Sequence, residues 1–179
     1  MSRTLRGLAA ALAVVAAGAA LPLPPASAGS GGFTDPDDAG APDVRRVAIK
    51  NDSPRQIRVV VRYDGGLADV ARVYVDTRPG DPGPEFLLDQ SIDSSGAERR
   101  FSVHRVERWG DDPTAGNTVC SLRSRPGRRG GDDKMSYPVP RSCLGDAGTV
   151  RVAVLGFDRT GGRDWAPRAR HFGLSIEQS

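Results

Sequence analysis

The segment IRVVVRY sets Ile57, Val59, Val61 and Tyr63 at every second position. That period stacks four apolar side chains on one face of a strand and spreads them all around a helix. The same alternation recurs down the chain, at Val47 and Ile49, Val73 and Val75, Phe101 and Val103, and Val150, Val152 and Val154. It returns at Phe172, Leu174 and Ile176. Between these runs lie breakers rich in Gly, Pro, Asp and Ser, such as DGGLAD (64–69) and DSSGAE (93–98). Short alternating strands at this spacing predict an all-β domain, an antiparallel β-sandwich of about eight or nine strands over residues 43–179.

Local signals refine that expectation. Asn51 to Arg55 reads as the turn of a hairpin. In VYVDTRPGDPGPEF, residues 73–86, Val73 and Val75 point inward, prolines stiffen a crossing and Phe86 re-enters the core. Tyr74 and Asp76 then face the other way. The alternation slips after Phe101 and Val103, which predicts a bulge near Arg105. Ser124 to Lys134 reads as an Arg/Gly loop between two short strands, and Pro138 and Pro140 mark the second of these as an edge. RSCLGDAG (141–148) reads as a compact or single helical turn.

Residues 1–28 read as a secretory signal peptide. Arg3 and Arg6 precede an apolar run from Leu8 to Leu21, and the small residues Ala26 and Ala28 suit cleavage before Gly29. Residues 29–42 are rich in Gly, Pro and Asp, with only Phe33 to bury, and predict a flexible arm. Twenty-five basic residues stand against 22 acidic ones. Two of the bases lie in the leader, so the remainder is near neutral and the basic pI of about 9.2 mostly reflects the leader. A nucleic-acid partner would need a concentrated positive excess and is not expected. No second apolar segment is long enough for a membrane, so the expected location is extracellular. Export makes a disulfide the expected state of the two cysteines, Cys120 and Cys143, with a stabilisation of roughly 3 kcal/mol.

Residues for chemistry are scattered. There is no G-x-S-x-G, and His104 and His171 both fall in predicted strands. Two histidines and two paired cysteines do not make a zinc set. Asp35 to Gly40 begins as D-x-D-x-x-G, but Ala39 and Arg46 stand where further acidic ligands belong. Asp35, Asp37 and Asp43 remain as calcium candidates beside the plainer reading of a solvated acidic arm. Asp76, Glu85 and Asp89 are the carboxylates available for an acid/base pair on sugars. The pairs Asp111/Asp112 and Asp132/Asp133 read as turn residues. Among the aromatic residues Trp109 reads as a cap on the core, whereas Trp165 stands open between cap and ligand contact. The ligand-binding candidates are Tyr74, Asp76 and Trp165; no catalytic residue and no cofactor is expected.

IRVVVRY, ARVYVDT and GPEF together resemble the DOMON-like sandwiches that include family 9 carbohydrate-binding modules. VPRSCLG and the D-W-A-P motif of Asp164 to Pro167 resemble secreted bacterial domains of unknown function. The resemblance spans about Asp43 to Glu177 and implies extracellular recognition, with carbohydrate the commonest ligand. Heme, bound by some DOMON-like domains, would need Met and His ligands, and Met135 is the one methionine beyond the leader. The expected function is therefore a secreted, non-catalytic domain binding cell-wall or environmental polysaccharide. The alternative is an extracellular protein-interaction or inhibitor module using the Arg-rich loop 123–129, and a hydrolase of unknown type stands third.

Overall fold

The computed structural model describes residues 27–36, 42–68, 70–92, 99–129, 132–158 and 160–179. The expected leader lies outside these except for Ser27 and Ala28, as does Asp37 of the calcium candidates. The chain order is β1 (Ser27–Ala28), β2 (Ser30–Thr34), β3 (Asp43–Lys50), β4 (Gln56–Asp64), β5 (Val70–Asp76), β6 (Phe86–Ile92) and β7 (Arg99–Arg105). It continues with β8 (Thr118–Arg123), β9 (Arg125–Arg129), β10 (Asp132–Pro140), β11 (Thr149–Phe157), β12 (Arg163–Ala166) and β13 (Ile176–Glu177). Eight of these form one sheet, ordered β1-β13-β11-β5-β6-β7-β8 with β12 also paired to β11. The other five run β2-β3-β4-β10-β9. All neighbours are antiparallel except β1 and β13.

The two sheets face each other as the alternation requires. Val47, Ile49, Val59, Val61, Met135 and Val139 of the smaller sheet meet Val73, Val75, Leu88, Val103, Val152 and Val154 of the larger in one buried core. Burial of so many branched side chains is the main stabilising term, at about 25 cal/mol per Å² of apolar surface. Buried polar links join the sheets: the Tyr137 hydroxyl donates to Gln90 Oε1 at 2.6 Å, both residues being shut from solvent, and the Val44 backbone N–H donates to the buried Asp164 carboxylate at 2.6 Å. The Tyr137 ring also meets Phe101 edge-on, 5.3 Å between centroids.

A second polar cluster closes one end of the sandwich. Buried Asn51 donates from Nδ2 to the carbonyls of Gly148 (3.1 Å) and Ile176 (2.9 Å), and its backbone N–H donates to Gly29. Buried Arg141 donates to the Asn51 side-chain oxygen and to the carbonyls of Ser53 and Ala147. The turn of the β3–β4 hairpin is thereby tied to the 3₁₀ turn Arg141–Leu144 and to β13. Cys120 of β8 is disulfide-bonded to Cys143 of that turn.

Several expectations change. The strand count rises to thirteen among the described residues because short pieces pair at the rims. Ser30–Thr34, expected within a flexible arm, is a strand paired with β3, and Phe33 packs on the core. The expected loop Ser124 to Lys134 is largely the β9–β10 hairpin. The strand holding Pro138 and Pro140 lies between β4 and β9, but β9 pairs with it only as far as Ser136, so both prolines fall where one flank carries no β9 partner. Register between β7 and β8 shifts at Val103/His104, slightly ahead of Arg105. Of HFGLSIE only Ile176–Glu177 is strand, so His171 lies in a loop. Among the described residues no helix is long and apolar enough to cross a membrane.

Candidate functional site

The outward face of the larger sheet is not a plain solvated face. Alternation brings Arg72, Tyr74 and Asp76 of β5 to this side, with Leu87 and Asp89 of β6, Arg151, Ala153, Leu155 and Phe157 of β11, and Trp165 of β12. Two loop segments lie over them, 106–117 and 167–175. They contribute Val106, Trp109 and Phe172 to a second apolar cluster around Tyr74, Leu87, Ala153 and Leu155.

The aromatic rings pack on one another. Tyr74 stacks on Trp165 at 5.5 Å and 17°, and lies 5.1 Å from Trp109. Trp109 in turn meets Trp165 at 5.9 Å and Phe172 at 4.7 Å. The loop that delivers Trp109 is pinned by Asp111, whose carboxylate accepts from the backbone N–H groups of Glu107 (3.0 Å) and Arg108 (3.2 Å) and from Arg108 Nε (3.0 Å). Those bonds hold the Asp111 carboxyl below its ordinary value.

Of the expected binding residues, the structure brings Tyr74 and Trp165 into contact, and leaves Trp165 half-buried at the surface. Tyr74 is only 1% exposed, so its ring is covered by the two tryptophans and does not face solvent. Burial pushes its phenol up from the ordinary value, against the opposite pull of Arg72. Asp76 is fully buried on the same face. It accepts from Arg151 Nε at 2.7 Å and from Arg151 Nη2, and its other oxygen accepts from the Arg78 backbone at 2.8 Å. Tyr74 and Asp76 thus take the face expected of them, away from the interior, but are closed off from solvent there. The sequence pattern told which face they take, but not that distant loops cover it.

The polyproline crossing has a structural explanation in its carboxylates. Glu85 accepts from the Thr77 backbone (2.7 Å) and hydroxyl (3.2 Å), while Asp76 holds Arg78. Both acids fasten the ends of the 77–84 loop. Asp35 and Asp43, the described calcium candidates, are buried near the rim of the smaller sheet. Among the described residues no group of three or more acidic, His or Cys side chains is placed to hold a metal. His104 Nδ1 lies 3.2 Å from both the Thr114 carbonyl, which can only accept from it, and the Thr118 hydroxyl, and His171 Nδ1 lies 2.7 Å from the Ala169 carbonyl, again an acceptor.

Beside the aromatic cluster opens a cleft of about 540 Å³, lined by Leu155, Trp165 and the edge of the otherwise covered Tyr74, together with Arg72, Phe157, Arg163 and Arg170. Arg72 Nε lies 3.2 Å from Asp89 and Nη2 lies 3.4 Å from Asp112. Burial raises the Asp89 carboxyl above its ordinary value, and Arg72 pulls it down again in part. The guanidinium carbons of Arg72 and Arg163 lie 5.8 and 5.5 Å from the centre of the same Phe157 ring. Arg170 holds a backbone φ of +58°, uncommon for a residue with a side chain. Alternation places Arg72 on the face of Tyr74 and Asp76, but neither it nor Phe157, Arg163 and Arg170 is among the expected binding residues. Alternation could have found Phe157, which shares a face with Leu155.

No family model, curated protein or solved structure matches this chain.

Proposed function

We propose that the chain is a secreted, non-catalytic β-sandwich that binds cell-wall or environmental polysaccharide, akin to the DOMON-like and family 9 carbohydrate-binding sandwiches. The observation that carries this reading is the cleft on the outer face of the larger sheet, where half-buried Trp165 and Phe157 offer apolar surface among polar groups. Sugar rings pair an apolar face with rim hydroxyls, and an aromatic ring ringed by guanidinium and carboxylate groups meets both needs. The carboxylates nearest the cleft support binding over hydrolysis. Asp89 and Asp112 are both tied to Arg72, and Asp76 is closed off by Arg151. The leader expected over residues 1–28, whose cleavage before Gly29 would remove the two-residue β1, and the Cys120–Cys143 bond fit an extracellular site of action.

The interaction reading for Arg123–Arg129 has less to rest on. Arg123 and Arg125 are exposed, but β9 is an edge strand in which Pro126 lacks the N–H that strand addition would use.

The test is retention on insoluble cellulose, xylan, chitin and peptidoglycan, with calorimetric titration of soluble fragments. The wild-type domain is expected to be retained by at least one, and Trp165→Ala to weaken that binding about tenfold with the fold intact. A domain that passes through every matrix unretarded defeats the proposal.

A further inference from the structure

The cleft carries more positive charge than its surroundings neutralise. Three arginines rim it, and only Arg72 has carboxylate partners, Asp89 and Asp112. Among the described residues neither Arg163 nor Arg170 pairs with a carboxylate, and both are exposed. Arg163 instead stands against the Phe157 ring, which also takes Arg72. Two guanidinium groups converging on one phenyl ring repel each other, and an anion between or beside them relieves that repulsion. This local excess sits on a chain that is near neutral once the leader is set aside, so it belongs to the cleft and not to the whole surface.

The shape of the excess selects the anion. Guanidinium forks match a planar carboxylate with two parallel N–H···O bonds. A ligand must also offer an apolar face to Trp165, Leu155 and Phe157, which a bare inorganic anion lacks. Resting on the polysaccharide reading above, we infer that the cleft takes a carboxylate-bearing sugar, a uronic-acid unit of an acidic polysaccharide, with Arg163 and Arg170 holding the carboxylate and Trp165 and Phe157 covering the ring. The loop that follows β12 is what supplies Arg170. It leaves the edge of β11 after Ala166, passes over the outer face and returns at Gly173, whose N–H donates to the Val152 carbonyl at 2.9 Å. The excursion thus forms one wall of the cleft.

The experiment compares polygalacturonate and alginate with a neutral glucan and with double-stranded DNA, each titrated at low and moderate salt. The expected result is tighter binding to a polyuronate than to the neutral polymer or DNA, weakened by salt. Arg163→Ala with Arg170→Ala should lower polyuronate affinity at least about tenfold and neutral-sugar affinity by a clearly smaller factor. Arg163→Lys, which keeps the charge without the fork, should fall between. Both residues are exposed, and unchanged thermal unfolding of the variants verifies that the fold is retained. Equal binding of neutral and acidic polymers overturns the inference and spares the polysaccharide reading. Binding of every polyanion alike, DNA included, also overturns it, since charge alone would suffice. Polyuronate binding that survives the double substitution removes it from this cleft, and retention of no polymer at all defeats both readings.

Discussion

Asn51 and Arg141 illustrate how a single polar pair can matter more than any one valine. Asn51 is fully buried, and through it two carbonyls and one arm of the Arg141 guanidinium are satisfied. Asn51→Ala leaves a buried cation and two carbonyls short of partners, and is expected to cost about 3 kcal/mol, read from the denaturant midpoint. A midpoint within experimental error of wild type would mean that water replaces the amide. Ionisation is equally local. Asp89 is raised by burial and Asp111 lowered by backbone donors, so carboxyl titrations followed by NMR should place Asp89 above and Asp111 below the ordinary value of 3.8. Folded Asp89 keeps its proton to higher pH than the unfolded chain does. Its contribution to stability is therefore greatest below 3.8 and declines as pH rises through the folded value. Asp111 acts in the opposite sense, contributing above 3.8 and losing that contribution as pH falls through its folded value. The reverse order of midpoints would refute both assignments.

Among the elements, the broken edge of β11 is the most consequential. β12, Gly173 and β13 dock in succession along one side of that strand, and the residues between them loop outward. Gly173 is required because a Cβ there would run into the Phe33 ring. Gly173→Ala is expected to displace Phe33, loosen β2 and lower stability by about 2 kcal/mol, with faster amide exchange concentrated in residues 30–34. Exchange that rises evenly over the whole sandwich would argue against a local effect. Sequence alternation gave good access to β4, β5, β7 and β11, whose inward residues are the ones named from period alone. It gave little for β2, where two of five residues are glycine, or for HFGLSIE, where an alternating pattern is spent on one half-buried ring, one exposed Leu174 and one core Ile176. Period two records which side a residue takes only if the segment is a strand.

For the molecule as a whole, the Cys120–Cys143 bond joins the outer strand of the larger sheet to the turn where the chain leaves the smaller one. It closes a loop with a sequence separation of 23, for which chain entropy gives roughly 3 kcal/mol. Replacing both cysteines with alanine should lower the unfolding free energy by about that amount while the sheet pairing persists; an unchanged midpoint would show that the loop is already constrained when unfolded. The sandwich was legible because burial of one face imposes a pattern at every strand. The cleft was not, because Arg163 comes from the short rim strand β12, Arg170 from the loop after it, and Trp109 and Phe172 cover the neighbouring face from loops whose approach is set by tertiary contacts. That second apolar layer has a practical side. The chain has two tryptophans, and both lie in the layer beside the cleft, while the sandwich interior holds only tyrosine and phenylalanine as its aromatic residues. Tryptophan emission therefore reports on the outer layer alone: the protein carries its own optical probe, deaf to the core and tuned to whatever enters or loosens that face.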